Sequence, residues 1–139
     1  MDDQASKARA DAVASEVAKL ADPDADVRRE AAVALATRPG GQAVPALRKA
    51  VEDEDVAVRT VALVTLGQLF DDGSVGIMSQ ALLHDPEVNV RRAALSALSR
   101  LRTESARRAV EAAQSDADAG VRQAAEEARR NWKNRPGAN

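Results

Sequence analysis

The stretch Asp85-Pro86-Glu87-Val88-Asn89-Val90-Arg91-Arg92-Ala93-Ala94-Leu95-Ser96-Ala97-Leu98 decides the fold, because the chain writes its pattern four times. An Asp is followed five residues on by Val-Arg, which opens an Ala/Leu helix pattern. The copies are Asp22…Val27-Arg28, Asp53…Val58-Arg59, Asp85…Val90-Arg91 and Asp116…Val121-Arg122, and their arginines recur at intervals of 31, 32 and 31 residues. A fixed period of that length marks a stacked repeat protein. A solenoid presents an extended face more often than a catalytic pocket.

The segments between these signatures also read as helices, with apolar residues at three- and four-residue spacing. Val13, Val17 and Leu20 form one stripe; Val44, Leu47 and Val51 the next; Val75, Met78 and Leu82 the third; and Ala106, Ala109, Val110 and Ala113 a weaker fourth. Each repeat is then a pair of antiparallel helices. The spans predicted are 4–20 with 25–37, 42–51 with 56–69, 74–83 with 87–101, and 104–113 with 118–133. The repeats (about 4–37, 42–69, 74–101 and 104–133) make one domain over 1–133, followed by a flexible tail at 134–139 that contains Pro136-Gly137. Arg38-Pro39-Gly40-Gly41 and Asp71-Asp72-Gly73 separate repeats, where Gly can take the positive φ of a helix C-terminus. Pro45 falls in the first turn of its helix, where a missing N–H costs little. The acidic residues of Asp22-Pro23-Asp24, Asp53-Glu54-Asp55, Asp85-Pro86-Glu87 and Asp116-Ala117-Asp118 are placed to cap the second helices.

Aligned on the Val, the second helices carry one buried stripe: Val27, Ala31, Leu35; Val58, Ala62, Leu66; Val90, Ala94, Leu98; and Val121, Ala125, Arg129. The last copy departs, with Glu126, Arg129 and Arg130 where earlier copies are apolar or small. A polar terminal repeat is what an open stack needs to stay soluble. The first helix, with Lys7, Arg9, Asp11, Glu16 and Lys19, reads as the opposite cap. Hydrophobic content is ordinary at 45%, but there is one Phe, one Trp and no Tyr, so the core is built from Ala, Val and Leu. Phe70 is expected in that core, and Trp132 is expected to cover the open end of the last repeat.

The pattern Asp-Pro-x-x-x-Val-Arg-x-x-Ala-x-x-x-Leu resembles the HEAT repeat family, in particular its short bacterial, phycobilisome-lyase-type form. The likeness runs from about Asp11 to Trp132. It implies an all-α, right-handed α-solenoid (an α-α superhelix) of about four helical hairpins. It also implies that the motif Asp and Arg form a ladder between neighbouring repeats. That role maps onto Asp22, Asp53, Asp85 and Asp116 with Arg28, Arg59, Arg91 and Arg122. The chemistry suits it, since a guanidinium can bond a carboxylate through two parallel N–H groups.

Chemistry of other kinds finds few residues. Asp22-x-Asp24-x-Asp26 opens like a calcium loop, but Val27 and Val33 stand where that loop needs Gly and Glu. His84 is the only histidine and Cys is absent. HEAT-like di-iron hydroxylases need several His–Glu pairs, and no catalytic, cofactor-binding or metal-binding set is expected. The balance is nine cations against twelve carboxylates in residues 1–70, and eleven against ten in 71–139. Net charge is −2, which gives no general pull towards nucleic acid. Arg107-Arg108, Arg129-Arg130, Lys133 and Arg135 are interspersed with Glu and Asp, and the chain has almost no aromatic residues to stack on bases. No apolar run approaches the roughly 20 residues needed to cross a bilayer. The opening Met1-Asp2-Asp3-Gln4 lacks signal-peptide character. A cytoplasmic monomer is expected.

The expectation is therefore a non-enzymatic module that binds another protein or peptide. In such stacks the second helices line the concave side. Positions two and six after the motif Val give a face of Arg29, Val33, Thr60, Val64, Arg92, Ser96, Gln123 and Glu127, with a less polar centre at Thr60-Val61-Val64. The resemblance also implies two alternatives: an accessory subunit of a bilin lyase, and a DNA-binding HEAT-like protein.

Overall fold

The repeated motif can bury its apolar stripe only against a neighbouring copy, and the structure is a stack of such copies. The structure, a computed structural model, describes residues 3–38 and 40–133, and for residue 133 the backbone alone. The predicted tail at 134–139, Pro39, Met1 and Asp2 lie outside the described residues. Eight α-helices follow one another: α1 Asp3–Lys19, α2 Ala25–Ala34, α3 Ala43–Ala50, α4 Val56–Gln68, α5 Val75–His84, α6 Val88–Arg100, α7 Glu104–Ala112 and α8 Ala119–Lys133. Short 3₁₀ turns at Asp72–Ser74 and Ala113–Ser115 complete the regular structure. There is no strand among the described residues, and the fold is an all-α stack of helical hairpins.

The second helices α2, α4, α6 and α8 form one continuous row, each packed on the next, whereas the first helices α3 and α5 barely meet. Small residues allow this. Ala62, Ala94 and Ala125 are fully buried at the centre of the row, between Val58 and Leu66, Val90 and Leu98, and beneath Val121. A fully buried Leu contributes about 1.5–3 kcal/mol by leaving water, so the paired leucines of α4 and α6 carry much of the stack. Val27 departs from the predicted stripe and is only partly buried, because no earlier repeat covers it. Helix α2 also ends at Ala34, three residues short of the predicted span. Its last turn tightens into 3₁₀ bonds, with the N–H groups of Ala36 and Thr37 donating to the carbonyls of Val33 and Ala34. Gly40 (φ 135°) and Gly41 (φ 49°) then turn the chain through conformations closed to most residues.

The motif residues tie the repeats together. Arg28 Nε donates to Asp53 Oδ2 at 2.9 Å and Nη2 to Oδ1 at 3.1 Å. Its Nη1 reaches the carbonyls of Asp22 and Pro23 in its own repeat. Arg59 repeats this with Asp85 at 2.9 and 3.2 Å and with the carbonyls of Asp53 and Glu54. Arg91 does so with Asp116 at 3.0 and 3.2 Å and with the carbonyls of Asp85 and Pro86. Each receiving Asp also accepts the N–H two residues on, from Asp55, Glu87 and Asp118 respectively. Among the described residues the row is open at both ends: Asp22 accepts the N–H of Asp24 and meets no Arg, and Arg122 donates to the carbonyls of Asp116 and Ala117 and meets no Asp side chain.

Capping is uneven. Asp24, Asp55 and Asp118 accept helix N–H groups from Asp26, Val58 and Val121. Glu87, one methylene longer, occupies the same N-cap position on α6 without a side-chain bond. Glu87→Asp supplies the missing acceptor and raises stability by about 1 kcal/mol. Thermal unfolding followed by circular dichroism checks this, with a raised midpoint as the expected result.

Candidate functional site

The eight residues predicted to form the binding face all lie on second helices, and three of them meet in one groove between α6 and α8. Val33 (56% exposed) on α2 and Val64 (40% exposed) on α4 stand out as large apolar side chains in contact with solvent. Arg29 on α2 is half-exposed and pairs with Asp26 at 3.4 Å within its own helix. Thr60 is half-buried, with its hydroxyl donated to the Val56 carbonyl at 2.8 Å. Val61, expected in the less polar centre of that face, turns inward and packs against the core.

Arg92, Ser96 and Glu127 come together further along. They line a groove of about 360 Å³ between α6 and α8, with Ser99, Ala124 and Asn131. Arg92 crosses to the next repeat and pairs with Asp118 at 3.2 Å. Gly120 makes room for it, since a Cβ there would run into the guanidinium. The N–H of Val121 and then Arg92 hold the Asp118 carboxyl below its ordinary range. Gln123 is exposed on α8 but outside this groove. Neither Gly120 nor Asp118 was predicted as part of this face, although Asp118 recurs in the capping position of the motif.

The opposite side of the stack holds a larger groove, about 490 Å³, where α3 and α5 stand apart. Val51, Ile77 and Ala81 supply apolar surface and Glu52, Gln80 and His84 polar groups. His84 is the last residue of α5 and is exposed. Among the described residues no group of three or more His, Asp or Glu could hold a metal ion, and no helix is long and apolar enough to cross a membrane.

The junction between repeats two and three differs most from expectation. The left-handed residue that ends α4 is Phe70 (φ 52°), not a glycine. Its N–H donates to the Gly67 carbonyl at 3.0 Å and that of Asp71 to Leu66 at 3.3 Å, the bonds of a Schellman motif. The left-handed conformation costs a residue with a Cβ about 1–2 kcal/mol. Phe70 is not in the core; it is 59% exposed, because this turn points its ring outward. The Arg100 guanidinium sits 5.0 Å from the ring centroid. Gly73 serves a different need, leaving space for Arg48, which donates to the buried Ser74 hydroxyl at 2.9 Å and to Asp71 at 2.8 Å. Burial pushes the Asp71 carboxyl up, but the bonds from Ser74 and Arg48 outweigh it and hold the group below its usual value.

At the far end, Glu126 accepts from Arg129 at 2.7 Å, from Arg130 at 3.2 Å and from Gln114. Arg129, then the lesser pull of Arg130, lowers the carboxyl from 4.5 to about 2. The folded value lies below the unfolded one, so this contribution to stability is complete above about pH 4.5 and fades as the pH falls towards 2. An NMR titration of the Glu126 carboxyl is expected to show a midpoint near 2, moving up towards 4.5 in Arg129→Met. An unmoved midpoint in that variant contradicts the assignment. Trp132 is partly buried and packs against the core beside this cluster.

A sequence profile of HEAT repeats matches residues 13–80 and again 71–130. No curated protein matches the chain. Among solved structures, human deoxyhypusine hydroxylase in complex with glycerol superposes with a TM-score of 0.78 at 24% identity, over 88% of this chain and 44% of that one. An engineered protein superposes with a TM-score of 0.65 at 21% identity, over 84% of this chain and 60% of its own. The chain thus spans less than half of the hydroxylase, and identities this low speak for the fold alone.

Proposed function

Because the chain belongs to the HEAT repeat family, we propose that it works without catalysis, as a monomeric interaction module that binds a protein or peptide along the exposed side of its second helices. Within the family we assign it to the short, phycobilisome-lyase-type repeats on its period of 31 or 32 residues. One observation carries the binding proposal: Val33 and Val64, exposed on neighbouring helices of the most tightly packed row, with Arg29 and Arg92 beyond them. We place these residues on the concave side, since the more closely packed row of a curved stack lies at its inner radius. An amphipathic segment could bury an apolar stripe on the valines. The polar cluster of Glu126, Arg129 and Arg130 on α8 supports the monomeric reading, because a charged face opposes the stacking of a second molecule against it.

Capture of the partner on immobilised protein, repeated with Arg29→Glu and Val64→Asp, tests this reading. Both side chains are solvent-exposed, so the variants keep their helical spectrum. Recovery is expected to fall at least severalfold with Val64→Asp. Undiminished recovery with both folded variants removes the second-helix face from consideration.

A further inference from the structure

Most arginines of this chain are already engaged by carboxylates: Arg28, Arg59 and Arg91 in the ladder, and Arg29, Arg48, Arg92, Arg107, Arg108, Arg129 and Arg130 elsewhere. Arg38, Arg100 and Arg102 make no ion pair among the described residues, and all three are exposed. They share one edge of the stack. Arg38 follows the end of α2, while Arg100 and Arg102 lie at and just past the end of α6. Between these two helices α4 ends in Phe70, exposed and held in a conformation that glycine would adopt at less cost. Arg100 is fixed there as well, stacked on the ring and donating Nε to the Gly67 carbonyl at 3.2 Å. Of the nearby carboxylates, Asp71 is held by Arg48 and Glu104 by Arg107, which leaves Asp72 as the exposed acid without an ion pair among the described residues.

We propose that this edge docks an extended acidic segment of a partner protein, with an apolar side chain on Phe70 and carboxylates on Arg38 to one side and Arg100 and Arg102 to the other. The inference rests on the interaction-module reading and adds a second surface with a defined ligand chemistry. The dimensions fit. Neighbouring helix axes lie about 8–10 Å apart, so the edge from Arg38 past Phe70 to Arg102 is crossed by roughly six extended residues at about 3.3 Å each. Nucleic acid fits less well. A single aromatic ring, stacked by Arg100, cannot receive successive bases.

The test is fluorescence anisotropy on the full chain. The probes are a labelled peptide in which leucine is flanked on each side by aspartates, the same peptide with serine for leucine, and a short oligothymidine. The leucine peptide is expected to bind best. Phe70→Gly is expected to weaken it about tenfold, as loss of an interface anchor does, while the melting temperature stays level or rises because glycine accepts φ 52°. The double variant Arg100→Glu with Arg102→Glu is expected to weaken it comparably, and Val64→Asp to leave it unchanged. No peptide binding by the wild type, wild-type affinity in Phe70→Gly, or tighter binding of oligothymidine overturns the proposal. If Val64→Asp alone abolishes peptide binding, the second-helix face stands and this edge falls. If the edge variants alone abolish it while partner capture ignores Val64→Asp, the edge stands and the second-helix face falls.

Discussion

Asp85→Ala is expected to destabilise the fold by about 3 kcal/mol, in the range for breaking a largely buried ion pair by removing one partner. Asp85 takes both Nε and Nη2 of Arg59 and the N–H of Glu87. The two side chains keep only 8% and 13% of their surface in water. Truncation therefore leaves a guanidinium with little solvent to replace its carboxylate, and it frees the turn that starts α6. Arg122→Ala makes the contrast. Its guanidinium bonds two carbonyls, is exposed and has no carboxylate partner among the described residues, so the loss stays below about 1 kcal/mol. Urea unfolding of both variants measures the difference. Equal shifts would mean that the rungs add nothing across the repeat boundary.

Gly67→Val carries the second large effect, again about 3 kcal/mol, at the upper end for overpacking a close-packed contact. A Cβ on Gly67 would lie 2.9 Å from the Ala97 Cα and 3.0 Å from its Cβ. The first of these is backbone of α6, which cannot swing aside as a side chain would. Valine adds two methyl groups at the same point, so α4 and α6 must separate. The sign is informative because Gly is about 1 kcal/mol worse than Ala inside a helix. On propensity alone Gly67→Ala would stabilise; the contact with α6 makes it destabilise. A raised denaturation midpoint for Gly67→Ala would show that the two helices can move apart at no cost.

What could be read from the chain follows from what it repeats. Asp53, Arg59, Val58, Ala62 and Leu66 recur at a constant spacing, and four copies turn a weak pattern into a definite helical stack. Residues that occur once carry no such signal. Phe70 reads as core because aromatic residues are usually buried, yet its exposure depends on a left-handed turn that the sequence does not announce. Gly67 matters only because Ala97 of the next repeat lies against it, and Ser74 only because Arg48 reaches it across a junction. Thr65 belongs to the same class: its buried hydroxyl donates to the Ala32 carbonyl of the preceding repeat at 3.1 Å. The face suggested by positions two and six was only partly legible. Helical phase assigns Val61 and Val64 similar surroundings, while the approach of neighbouring helices covers the first and leaves the second open.

The rungs also have a direction, since the Arg of one repeat always meets the Asp of the following one. A tandem copy of residues 53–84 inserted before Asp85 would respect that grammar: the first Arg59 would meet the copied Asp53, and the copied Arg59 would meet Asp85. No rung of the ladder is stranded by the duplication. Copy number is thus a coordinate along which this architecture can change by whole units, lengthening its binding edge while each junction keeps its Arg–Asp rung.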